Sequence, residues 1–235
     1  VMRLALVAQW LRASRSDAQL RKTTLVYAGG VTLVQIFWLC FLLLPSSLQM
    51  PAIVVLIAAE LAIPIIAERV ETTPWHPHHI TERYGLFTLI VLGESLLGSA
   101  NAIIEAIHDK QDLGSLISFA ALALVATAAM WWIYFWPPHH VAISGLGNSL
   151  LYGYGHYFIL AAAAAFSAGI EVEIDVLTGH SALHQPGASF AFTIPLAVFL
   201  IVVWIIAIRP VADRIVNTVV PAAAVLVLVD PLIPV

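Results

Sequence analysis

The chain has 235 residues, of which 61% are apolar and only 10% charged, against ~45–50% and ~25% in soluble domains. That excess excludes a water-soluble globule of this size and makes lipid the expected solvent. At a net charge of −4 no basic patch for nucleic acid appears, and a lone cysteine, Cys40, excludes a disulfide framework or a cysteine-based metal site.

In chain order, residues 1–12 read as the tail of one membrane helix. Apolar runs of ~20 residues predict seven more spans, at roughly 24–44, 50–67, 82–106, 113–136, 148–171, 189–208 and 212–233. The expected fold class is all-α: a polytopic bundle forming a single membrane domain over 1–235. Because the chain opens on Val1 and closes on Val235 inside apolar runs, it is expected to be a fragment. The connections are short, as in "PSSLQ", "HDKQD" and "PPHHVAISGLG", with a longer "TGHSALHQPGAS". Five alanines at 161–165, with Ser167 and Gly169, suit close packing of helices in lipid, where small side chains let backbones approach.

Lys and Arg set the expected orientation. With the loop at 12–22 cytoplasmic, alternation puts Arg12, Arg15, Arg21, Lys22, Arg69, Arg83, Arg209 and Arg214 on that side and leaves Lys110 outside. The run "WWIYFW" at 131–136 then ends its helix at the cytoplasmic surface, where interfacial aromatics belong.

Polar residues inside the spans are the candidates for chemistry. On the third span Arg83, Glu94, Gly98, Asn101 and Glu105 fall within ~60° of one another around the helix. Arg83 and Glu94 are ~16 Å apart along its axis, too far to pair. A carboxylate at the bilayer centre costs at least ~2.5–3.5 kcal/mol, so Glu94 is expected to face the bundle and find a hydrogen-bond partner. Glu60 is a second acid near mid-depth, and Pro64, four residues on, cannot donate to its carbonyl. His156 lies ~12 Å into the fifth span and can relay protons, ligate a cofactor or donate to a carboxylate. The competing reading of all three is hydrogen-bonded packing. In the loops, His76, His78 and His79 fall on one connection and His139 and His140 on another. With Glu71 and Glu82 nearby, they are candidate ligands for a divalent metal, although the spacing matches no zinc motif. The bland alternative is polar residues at a headgroup boundary.

"HITERYGLFTLIVLGESLLG" resembles the signature of the bacterial low temperature requirement protein A family. The pattern of a His, then Glu-Arg, Gly-Leu-Phe, an aliphatic run and Gly-Glu-Ser corresponds here to His79, Glu82-Arg83, Gly85-Leu86-Phe87 and Gly93-Glu94-Ser95. "MWWIYF", "YGHYFILAAAAAFSAGIE" and "RASRSDAQLRKTTLVYAGG" add support, so the resemblance covers most of the chain. It implies a bacterial inner-membrane protein lacking N-terminal spans, and it supplies no reaction.

The function expected is movement of protons, ions or a small solute, with Glu60, Glu94, His156 and Asn101 along the path and Glu82 and Arg83 at its cytoplasmic mouth. The alternatives are an accessory subunit holding a pigment, haem or lipid, a membrane enzyme using the His/Glu cluster with a metal, and a purely structural scaffold. The sequence names no cofactor. The bilayer is the expected partner, with a small solute or ion as cargo, and with partner subunits or a homo-oligomer left open.

Overall fold

A computed structural model describes residues 2–108 and 113–233, with the side chains at 99, 101–103, 105–108 and 113 outside the description. The roles expected of Asn101 and Lys110 therefore lie outside the described residues. Among those described, every regular element is helical. Six helices among the described residues are long and apolar enough to cross a bilayer, and each overlaps an expected span. The chain divides into two compact units, Val1–Trp75 and His76–Val235.

The first unit holds α1 (Met2–Ser16), α2 (Arg21–Phe41) and α3 (Ser46–Glu68), with α2 packed against both neighbours. Its core is aliphatic: Val31, Val34 and Ile63 are buried, with Val7, Tyr27, Trp38 and Ala59 against them. Trp10 of α1 stacks on Tyr27 of α2 at 4.1 Å. One end is tied by polar groups. Tyr27 donates to Glu68 Oε1 at 2.8 Å, and Glu68 also accepts from the Thr73 amide and hydroxyl. α3 runs unbroken through Pro51 and Pro64, as membrane helices can where neighbours satisfy the freed carbonyls.

The second unit is built from α4 (Pro77–His108), α5 (Leu113–Phe135), the short α6 (His139–Ala142), α7 (Gly145–Leu177), α8 (Gly187–Val203) and α9 (Arg214–Val229). α4 encloses the expected third span, and α7 extends the expected fifth by several residues at each end. α8 continues as a π-turn over Trp204–Ile208. The closest packing is between α7 and α8. At Gly169 a Cβ would collide with the Ala191 carbonyl and stand 2.8 Å from the Phe192 Cα, so only glycine permits this approach. Ala162, Ala163, Phe166 and Ile170 bury the same stretch. The small-residue run thus brings two backbones together, as small side chains do in lipid. α9 closes the unit through Ala224 against Ala197 and Leu200. Asp213 caps α9, its carboxylate accepting the Val216 amide at 2.9 Å, which satisfies one of the amides a helix start leaves unpaired.

Candidate functional site

In the second unit α4 starts, α5 ends and α7 starts at one end, beside α6. Tyr152 and His156 are one turn apart on α7 and so share a face. Tyr134 lies on the last turn of α5, and His139 opens α6. His156, Tyr134 and Tyr152 are all buried essentially completely.

Four hydrogen bonds join these four residues into a closed ring. His156 Nδ1 lies 2.7 Å from the Tyr152 carbonyl, and His156 Nε2 lies 2.9 Å from the Tyr134 hydroxyl. His139 Nε2 lies 2.5 Å from the Tyr134 carbonyl, and His139 Nδ1 lies 3.0 Å from the Tyr152 hydroxyl. A carbonyl only accepts, so His156 carries its proton on Nδ1 and His139 on Nε2. The other nitrogen of each neutral ring is then an acceptor, and a tyrosine hydroxyl donates to it. Each tyrosine therefore gives its hydroxyl to one histidine and its carbonyl to the other.

α4 completes the enclosure. Tyr84 lies with its ring 4.2 Å from that of His156. One turn on, the buried Thr88 donates to the Tyr84 carbonyl at 2.9 Å and adjoins the Tyr134 side chain. Gly155, beside His156, lets Ile206 of the π-turn approach to 3.0 Å of where a Cβ would stand. His139 lies outside the spans, and burial lowers its pKa below the usual 6.5, partly opposed by the bond to the Tyr134 carbonyl.

A cleft of about 470 Å³ leads to this ring from the surface. Its walls include His78, Glu82 and His140, and it reaches Tyr134 and His139. The His78 and His140 rings stack at 4.1 Å, His76 lies 5.0 Å from His79 ring to ring, and His79 faces Glu82 at 3.8 Å. The two histidine loops thus meet at one end of the second unit. Among the described residues no three His, Cys, Asp or Glu side chains stand grouped as they would around a metal ion. Both nitrogens of His139 are engaged in the ring, so His139 is a ring member and cannot serve as a ligand without breaking it.

The two membrane carboxylates depart from expectation. Glu94 is exposed on α4 and makes no hydrogen bond or ion pair among the described residues. Among the described residues no partner meets it, and Thr88, Leu92 and Ser95 take the buried face of α4. Glu60 does find partners, both within its own unit. Its Oε1 takes an ion pair from Arg3 at 2.6 Å and a hydrogen bond from Trp38 Nε1 at 2.8 Å. Glu60 is a quarter exposed and Arg3 nearly half, so neither acid is a fully buried carboxylate. Arg83 is exposed at the start of α4.

Sequence reading reached His156, His139 and the cleft residues, and missed Tyr134, Tyr152, Tyr84 and Arg3. The i, i+4 repeats Tyr84/Thr88 and Tyr152/His156 carried a signal for the shared faces. Tyr134 was hidden in an aromatic run that reads as an interfacial belt.

The profile of the bacterial low temperature requirement A protein (LtrA) matches residues 1–235, the whole chain. The chain belongs to the LtrA family. No curated protein and no solved structure matches it. Within this LtrA chain the Glu-Arg and Gly-Glu-Ser segments of the signature both lie on α4, the helix that carries Tyr84 and Thr88 to the ring.

Proposed function

We propose that this LtrA-family membrane protein moves protons, or a small cargo coupled to them, through the ring of Tyr134, His156, Tyr152 and His139. The observation that carries this reading is His156: a fully buried histidine inside a span, with a free-base nitrogen aimed at the hydroxyl of Tyr134, a residue that also lines an open cleft.

The chemistry needs no cofactor. A proton reaching the Tyr134 oxygen from the cleft lets the phenol pass its own proton to His156 Nε2. Tyr134 ends as a neutral phenol and His156 as an imidazolium whose Nε2–H now donates to the phenol oxygen. Nδ1–H keeps its bond to the Tyr152 carbonyl throughout. No tyrosinate forms, so the step avoids the high pKa of a phenol. The groups facing His156 from α4, α5, α6 and α7 are Tyr84, Tyr134, His139 and Tyr152. None is a carboxylate, so the imidazolium has no counter-charge in the ring.

His78, Glu82 and His140 serve as collecting groups at the mouth, with Arg83, His76 and His79 beside them. His76, His78, His79 and His140 remain open to a divalent ion as a ligand set that would have to close on binding. Glu60, Glu94 and Asn101 belong to this reading as further polar stations along the spans. The test is proton flux into vesicles carrying the purified protein and a trapped pH-sensitive dye. Tyr134→Phe keeps the ring's shape and removes the relay oxygen, so flux falls at least about tenfold, in line with the typical 10²–10⁴-fold worth of a positioned proton-transfer group. Equal flux in wild type and variant, with both folded, leaves the ring a packing device.

A further inference from the structure

A second feature of the same unit lies at the other face of α5. The last turns of α5 and the first turns of α9 leave a groove of about 380 Å³. Its wall is apolar, with Trp132 from α5, Trp136 just after it, Ile208 from the π-turn, and Ile215, Val216 and Val219 from α9. Two cations flank it in the chain, Arg209 directly after Ile208 and Arg214 directly before Ile215, and both are exposed. The Arg209 guanidinium lies over the Trp204 ring, 5.6 Å from its centre. The acid between them, Asp213, is already engaged as the cap of α9.

Depth follows from the elements. The groove sits where α5 ends and α9 begins, and the π-turn there packs against the surface helix α6. Trp132 and Trp136 line the groove and Trp204 opens the π-turn, and tryptophans mark the headgroup boundary. An apolar slot with Arg209 and Arg214 next in the chain to its wall residues Ile208 and Ile215 is complementary to a molecule with a hydrocarbon chain and an anionic head.

We propose that this groove binds an anionic phospholipid, with one acyl chain along Trp132, Val216 and Val219 and the phosphate at Arg209 and Arg214. A zwitterionic lipid can place the same chain but brings an ammonium to the arginines, so the site discriminates by headgroup.

The test is native mass spectrometry of the full chain, equilibrated in mild detergent with equal amounts of phosphatidylglycerol and phosphatidylcholine of identical chains. The wild type retains phosphatidylglycerol in preference, and added salt erodes that preference while sparing phosphatidylcholine. Arg209→Gln and Arg214→Gln each weaken phosphatidylglycerol retention about fivefold, the share of one basic residue at a membrane surface. Val219→Trp fills the slot from an exposed position and lowers retention of both lipids. Inorganic phosphate alone does not displace the lipid. Equal retention of the two lipids by the wild type, or displacement by phosphate alone, overturns the proposal, as does undiminished phosphatidylglycerol in the double arginine variant. If that variant does not fold, the salt dependence of the wild type and the Val219→Trp result decide in its place.

Discussion

Two backbone carbonyls decide which nitrogen of each histidine holds a proton, and that choice makes Tyr134 a donor rather than an acceptor. The assignment is open to direct observation. Nitrogen-15 NMR of histidine-labelled protein in lipid should show His156 as the Nδ1–H tautomer and His139 as the Nε2–H tautomer at neutral pH. The reverse pair would break the ring as drawn. A second consequence concerns pH. Burial lowers the folded-state pKa of His139 below its ordinary 6.5, so between those two values the unfolded chain binds more protons than the fold. Stability contributed by the neutral ring is complete above about pH 7 and lost as pH falls through 6.5 toward the lowered value. Thermal melts in detergent from pH 8 to 5 should show this decline, and His139→Gln should flatten it. A melt that is independent of pH in the wild type would contradict the account. At Glu60 the prediction is electrostatic. Arg3→Ala leaves a carboxylate inside its span with only Trp38, at a cost of about 2.5–3.5 kcal/mol. Replacing the pair together, Arg3→Met with Glu60→Leu, should recover most of that loss, since removing both charges removes the desolvation penalty. Equal melting of Arg3→Ala and wild type would show that the pair carries no stability.

Among the helices, α7 has the most to hold in register. It places Tyr152 and His156 at one end and packs closely on α8 further along, so the ring depends on how α7 lies. Gly169 is the tightest point of that packing. Gly169→Ala forces the backbones apart or shifts α7 along its axis, at the ~1–3 kcal/mol typical of overpacking. It should lower the melting temperature and loosen the ring more than Ala161→Leu, a larger change at an exposed position of the same helix. Comparable melts for the two variants would mean that the α7–α8 contact is not what fixes the ring. The π-turn after α8 belongs to the same device, because Ile206 presses on Gly155 next to His156. π-turns recur at functional sites, where the widened helix re-aims side chains.

For the molecule as a whole, hydropathy made the helices legible, since a span must satisfy its own backbone and be apolar over ~20 residues. The same rule made His156 visible as a polar residue inside a span. It could not show what His156 touches. Tyr134 and His156 are 22 positions apart and meet only because α5 and α7 pack at one end. A tyrosine in "WWIYFW" has the same local signature whether it anchors at the interface or closes a ring. Glu94 shows the converse. The insertion cost predicts a partner, yet hydrophobic packing of α4 turns Thr88, Leu92 and Ser95 inward and leaves the acid exposed. Arg3, in a run that reads as the tail of a membrane helix, gave no sign that it would pair with Glu60. What joins these observations is the proton site proposed at the ring, and a single experiment bears on it most directly. In dye-loaded vesicles under an imposed pH gradient, wild-type protein should carry protons and His156→Gln should not, while both melt alike. Flux that persists undiminished in His156→Gln, or that is absent from the wild type, would contradict it.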